Sequence, residues 1–268
     1  MEQVCLMHSI ERHIESIPTL ESSRMRIFRV LQDEETPIEH IEQVISSDPA
    51  MAAKVIKLAN SAFYRHAGGY AGISQALRTI GMDMVKCIAL SMAVMEAFSS
   101  ETPSMKALWR HSYAVALVSG SLGRTRQEKE SLFTGGLLHD LGRMVLVCRA
   151  PAEYLPLYEF VGYWPDPALE RDVFTLDHCA VGEKVAKRWH FPEEVTGIIR
   201  NHHEPERLAE GLVGLTDQVI AQHERGLLSE ELEHEDRIRT CVGPGYKELV
   251  NTIRQRYRTN TSVLENLG

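Results

Sequence analysis

The stretch Leu132 to Leu146, LFTGGLLHDLGRMVL, sets an adjacent His139-Asp140 pair inside a run whose pattern reads as a buried apolar helix. An ionisable pair taken out of water is costly unless it is hydrogen-bonded, oppositely paired or coordinated. The chain must therefore fold so that other polar groups, or a metal ion, reach this point from elsewhere. Arg143 lies three residues after Asp140 and four after His139, on the same helical face. A cation beside a His/Asp cluster suits an anionic ligand, and a phosphorylated small molecule is the expected kind.

The remainder reads as one amphipathic helix after another, divided by turn signals at Ile17-Pro18, Thr36-Pro37, Asp48-Pro49 and Ala67-Gly68-Gly69. Thr36 as N-cap with Pro37 at the first helical position opens a helix through Ser46, and Asp48-Pro49 opens another from Ala50 to about Phe63. Met82 to Phe98 is apolar around most of its circumference and predicts a central helix. The polar segment Ser99 to Ser104 marks a lobe boundary. Helices are then predicted over Trp109–Arg124 with His111, Glu128–Arg149 with the central pair, His178–Trp189, Glu193–His203, and Leu212–Gln222 with Asp217. Between Ala150 and Asp177 the four prolines predict a less regular path. The expected division is an N-terminal lobe over 1–103, a second lobe over 104–224 and a polar C-terminal tail over 225–268.

A net charge of −8 argues against nucleic acid as a partner. No run of 18 apolar residues occurs, so no membrane span is expected and a cytoplasmic location is. Five cysteines without CxxC spacing support neither a disulfide framework nor a thiolate zinc site.

The runs DPAMAAKVIKLANSAFY (48–64), ISQALRTIGMDMVKCIAL (73–90), LFTGGLLHDLGRMVL (132–146) and HCAVGEKVAKRWHFPEEVTGIIRNHHEP (178–205) resemble, in this order, the signature of the HDOD family, the HD-related output domain of bacterial signalling proteins. The resemblance covers roughly Ile17 to Ile220. It implies an all-α fold of two packed helical lobes, the C-terminal one an HD-like helical bundle related to metal-dependent phosphohydrolases.

By that resemblance His111, His139, Asp140, His178, His202, His203 and Asp217 stand where HD-type proteins carry metal ligands. Singly, each histidine has a bland alternative as a hydrogen-bonded core residue. Together they form a complete ligand set drawn from several helices, which is how bundles build metal centres. Neighbours on a helix diverge by about 100°. Two ions roughly 3.5–4 Å apart, bridged by Asp140, would use both members of each adjacent pair. Imidazole with carboxylate suits iron or manganese, with zinc or nickel as alternatives. The expected function is signal transduction through contacts with partner signalling proteins. The alternative is a metal-dependent phosphohydrolase acting on a nucleotide or other phosphoester, with Asp140 and Arg143 as its catalytic residues. The related cyclic-di-GMP phosphodiesterases carry a GYP-containing loop after their HH pair; here HHEPERLAEGLVG follows instead, so that substrate is not expected.

Overall fold

Caps written into the sequence set where the helices start. The structure is a computed structural model in which residues 36–47, 72–82, 102–227 and 235–264 are described, with isolated positions between 49 and 98 and at 232. All regular structure among these residues is helical. Numbered in order among the described helices, α1 is Ile38–Ser46 and α2 is Ile73–Ile80. Pro37, not Thr36, is the N-cap of α1, because the Pro37 carbonyl accepts from His40 N and Ile41 N at 3.0 and 3.2 Å. Ile41 and Ile45 on α1, and Ile73, Ala76 and Leu77 on α2, turn their apolar faces inward. Most of the helix expected over Ala50–Phe63, with Asn60 and Ser61, and most of Met82–Phe98 fall outside the described residues.

The described residues divide into two compact units, with the boundary between Ser99 and Ser100. One holds α1 and α2. The other carries the chain from Thr102 to Tyr257 and all the candidate ligands. It begins with α3, Pro103–Leu122, which starts six residues before the expected Trp109. Thr102 and Pro103 repeat the cap-plus-proline signal read at residues 36–37, and the Thr102 side chain accepts from Met105 N at 3.3 Å. Thr102→Ala is expected to lower stability by about 1 kcal/mol, the usual worth of an N-cap. A urea midpoint that does not move would remove the cap from the account.

The helix expected over Glu128–Arg149 is two helices. α4, Arg126–Leu138, opens with a reciprocal Thr125/Glu128 capping box, and α5 is Leu141–Arg149. The break falls at His139-Asp140, so the pair lies at a junction and not within a helix. Asp140 leaves helical geometry at φ −95°, ψ 20°. The irregular region resolves into α6, Pro151–Val161, and α7, Pro167–Phe174, the latter capped by Asp166. Then follow α8, His178–Arg188, capped by Asp177, α9, Glu193–Asn201, and α10, Leu208–Glu224. The tail set apart from residue 225 continues this unit through Tyr257. α11, Glu235–Val242, packs on α10, and from α12, Tyr246–Leu264, Arg256 Nη1 donates to Ser121 Oγ at 2.5 Å.

The core of this unit is α3 packed along α4, with α8 on α5 and α10 on α3. Phe133, Tyr154, Phe174 and Trp189 are fully buried within it.

Candidate metal centre

All seven residues expected as ligands come together at the middle of this unit. His111 sits halfway along α3, His139 and Asp140 at the α4–α5 junction, and His178 on the first turn of α8. His202 and His203 follow the end of α9, and Asp217 projects from α10. Asp140 lies at the centre. Its Oδ2 is 3.5 Å from His139 Nε2, and its Oδ1 is 3.4 Å from His178 Nε2 and 3.9 Å from His202 Nε2. Asp217 Oδ1 is 2.9 Å from His111 Nε2 and 3.7 Å from His139 Nε2. His203 Nε2 is 3.1 Å from His178 Nε2.

Two glycines make this approach attainable. A Cβ on Gly142 of α5 would stand 1.9 Å from the His178 carbonyl oxygen, and one on Gly214 of α10 would stand 2.0 Å from that of His202. Only a residue without a side chain lets those backbones close, and the closing brings the two imidazoles to the carboxylates.

The ring tautomers follow from what each Nδ1 faces. His139 Nδ1 donates to the Gly136 carbonyl at 2.7 Å, His202 Nδ1 to the Ile199 carbonyl at 3.0 Å, and His178 Nδ1 to Glu170 Oε2 at 2.6 Å. In its neutral form each ring would turn a lone pair on Nε2 toward the centre. His178 and His202 Nε2 stand 3.4 Å apart in this way, and His139 Nε2 is buried without a hydrogen-bond partner. Lone pairs facing one another with no proton between them are what a cation would relieve. The donor set therefore fits divalent metal, with Nδ1–H pinned to protein acceptors and Nε2 presented as ligand. His111 differs, because both its nitrogens meet carboxylates, Asp217 and Glu224 at 2.9 Å each.

Residues overlooked in the sequence hold this arrangement. Glu170, fully buried on α7, accepts from His178 N at 2.7 Å, His178 Nδ1 and Tyr154 OH at 2.6 Å, with Arg143 Nη1 3.3 Å away. Glu224 accepts from His111 Nδ1 and from Tyr163 OH. Glu210 accepts from Glu206 N, Arg207 N and Asn201 Nδ2, fixing the turn that carries His202 and His203. Cys179 Sγ lies 3.5 Å from His178 Nε2. Glu210 and Glu224 could have been found, since each lies seven residues from Asp217, two turns along one helical face. Arg143 is buried with Nε donating to Asp140 Oδ1 at 2.7 Å and Nη1 to the Pro165 carbonyl at 2.7 Å. Those donors face protein acceptors, and the guanidinium fixes the carboxylate.

Charge balance follows from these contacts. Burial opposes ionisation of Asp140, yet Arg143, His139 and His178 hold its carboxyl well below the usual range. Asp217 is held low in the same way by His111 and His139. Burial also opposes a charge on His111, but Glu224 and Asp217 raise it well above the ordinary imidazole value. Burial, then the neighbouring His139 and His178, push His202 down to about 3, and His203 is lowered too. The stability that His202 confers is thus present above the unfolded value of 6.5 and lost on acidification toward about 3, and that of His203 is likewise lost as pH falls below 6.5. That of His111 has the opposite sign and is already complete below 6.5. In metal-free protein the urea midpoint is expected to fall as pH drops through this window, less steeply in His202→Asn; equal slopes would contradict the assignment.

Residues 17–205 match the family model of the HDOD domain. The chain belongs to the HDOD family. An uncharacterised protein of Treponema pallidum (strain Nichols) is 27% identical over 203 residues, 74% of this chain and 40% of that protein. The chain thus spans less than half the length of that relative. Two solved structures share the fold. One, from Shewanella amazonensis SB2B, carries the provisional name of a phosphohydrolase; it superposes with TM-score 0.76 at 20% identity, covering 98% of this HDOD chain and 100% of its own. The other, from Marinobacter aquaeolei VT8, is provisionally named a signal transduction protein; its TM-score is 0.73 at 20% identity, covering 99% and 65%. No helix among the described residues is long and apolar enough to cross a membrane.

Proposed function

We propose that this HDOD protein is a bacterial signal-transduction protein that works through contacts with partner proteins, its second unit organised around a retained dinuclear metal centre. The observation that carries the reading is the division of donors about Asp140. Oδ2 faces His139, with His111 and Asp217 beyond it, and Oδ1 faces His178 and His202, with His203 beyond. Two divalent ions, iron or manganese first and zinc or nickel as alternatives, would use every donor with Asp140 between them. Such an ion supplies Lewis acidity toward a phosphoester oxygen and acidifies water. Arg143 and Glu170 keep the Asp140 carboxylate and the His178 ring aimed inward, and Glu224 does so for His111.

A second reading, a metal-dependent phosphohydrolase of a nucleotide or another phosphoester, is favoured by access. His203 is partly exposed and the Asp217 side chain is 13% exposed, so the cluster meets solvent on that side. The provisional name of the Shewanella structure agrees with this reading. In it Asp140 takes part in the chemistry and Arg143 acts by orienting Asp140.

Elemental mass spectrometry of anaerobically purified protein is expected to find about two equivalents of transition metal, lost in His139→Ala/Asp140→Ala. No bound metal after supply of iron, manganese, zinc and nickel would overturn the centre. With metal bound, turnover on a phosphoester panel that disappears in the double variant would establish the second reading, and its absence would leave the first.

A further inference from the structure

We infer that Cys179 is an additional ligand on the His178/His202/His203 side of the centre, giving that position a thiolate among imidazoles. The inference rests on the proposed metal centre and adds a donor beyond its seven residues. Cys179 follows His178 on the first turn of α8 and is buried; like the half-buried Cys148 and Cys241 it is in the reduced form. A buried cysteine ordinarily packs as a small hydrophobe. This one faces ring nitrogens, with Sγ 3.5 Å from His178 Nε2 and 3.9 Å from His202 Nδ1. One ligand atom each from His178, Cys179, His202 and His203 falls within a mutual 4.8 Å.

The distances about His178 Nε2 match those within a coordination shell. With metal–nitrogen bonds of roughly 2.0–2.1 Å and a metal–sulfur bond of roughly 2.3 Å, tetrahedral geometry sets nitrogen and sulfur about 3.6 Å apart and two nitrogens about 3.4 Å apart. His178 Nε2 is 3.5 Å from the sulfur, 3.4 Å from His202 Nε2 and 3.1 Å from His203 Nε2. An independent observation points to a cation at the same place. The Nε2 atoms of His178 and His202 stand 3.4 Å apart while each Nδ1 faces an acceptor, Glu170 and the Ile199 carbonyl, so the neutral rings would turn lone pairs toward each other.

Binding is a proton exchange. The S–H proton of Cys179 leaves to solvent and the sulfur lone pair forms the bond to the cation, so uptake rises with pH. A thiolate with three imidazoles, Asp140 being shared by both sides, is softer than the His111/His139/Asp217 side, so the two positions would prefer different ions. The sulfur side takes zinc, ferrous iron or cobalt in preference to manganese or magnesium.

Cobalt(II) is the probe, added anaerobically to full-length metal-free protein, to Cys179→Ala and to Cys179→Ser, which keeps the side-chain size and removes the soft donor. The wild type is expected to show a near-ultraviolet thiolate-to-cobalt charge-transfer band together with visible ligand-field bands. In both variants the first band disappears while the ligand-field bands persist, which also shows that the centre has folded. Cobalt bound to wild type without the charge-transfer band overturns the thiolate and leaves the seven-residue centre standing. A band that survives in both variants assigns it to another cysteine and likewise overturns the proposal. No cobalt uptake at all, with none of iron, manganese, zinc or nickel, overturns the centre and this inference together.

Discussion

Glu170→Ala is expected to cost about 3–5 kcal/mol, the range for removing one partner of a buried ion pair. The carboxylate is wholly buried and accepts from the His178 backbone and ring and from Tyr154 OH, with the Arg143 guanidinium beside it. Burial disfavours its charge, but His178 and Arg143 hold its pKa below the usual carboxylate range. Alanine leaves a cation in the core with one fewer counter-charge and leaves the His178 ring without the acceptor that fixes its tautomer. Urea unfolding of metal-free protein checks the size, and a loss under about 1 kcal/mol would show the network to be slack. Arg143→Met added to Glu170→Ala should recover part of the loss, because the penalty comes from a stranded charge more than from missing attraction.

The second large effect comes from a single methyl group. Gly142→Ala places a carbon 1.9 Å from the His178 carbonyl oxygen and 2.6 Å from the carbonyl carbon, and both are backbone atoms that cannot rotate aside. α5 and α8 must part. Overpacking of this kind costs about 1–3 kcal/mol or more. Displacing His178 from Asp140 should also weaken metal binding by about 10–100-fold, as for disturbed support of a ligand. Competition with a chelator measures the second effect apart from the first. An affinity within twofold of wild type would mean that the α5–α8 contact does not position the ligand.

The clustering of the seven residues was anticipated from the resemblance to HD-type proteins, and part of it was also legible in the residues themselves: a His-Asp pair in an apolar run, an HH pair after a helix, a lone Asp among Val and Leu. The helical type of the elements was legible because apolar residues repeat at helical spacing, but their number was not, since Glu128–Arg149 is two helices and the proline-rich stretch after Ala150 holds two more. Other features were hidden. The break at His139-Asp140 leaves no mark, because Leu137, Leu138 and Leu141 are as apolar as a continuous helix would require. Glu170 lies between prolines in a stretch with no periodic pattern, and its burial depends on Arg143 and His178, which are remote in the chain. The commitment of Arg143 to the Pro165 carbonyl and Glu170 could not be read from its spacing to Asp140, which fixes a face but not the far partners. Gly142 and Gly214 reveal their purpose only once the opposing carbonyl is known.

His111 and Asp217 are joined across 106 positions in the chain, and His178 meets His203 across 25. Contacts of such separation form only after intervening helices have docked, since each closes a long loop at an entropic cost. Those contacts therefore close late in folding, when the adjacent pairs His139-Asp140, His178-Cys179 and His202-His203 are brought together from separate parts of the chain. A chain stalled part-way has its imidazoles on undocked helices, whereas a finished one brings them together, so binding of a metal ion there would report that this unit has closed.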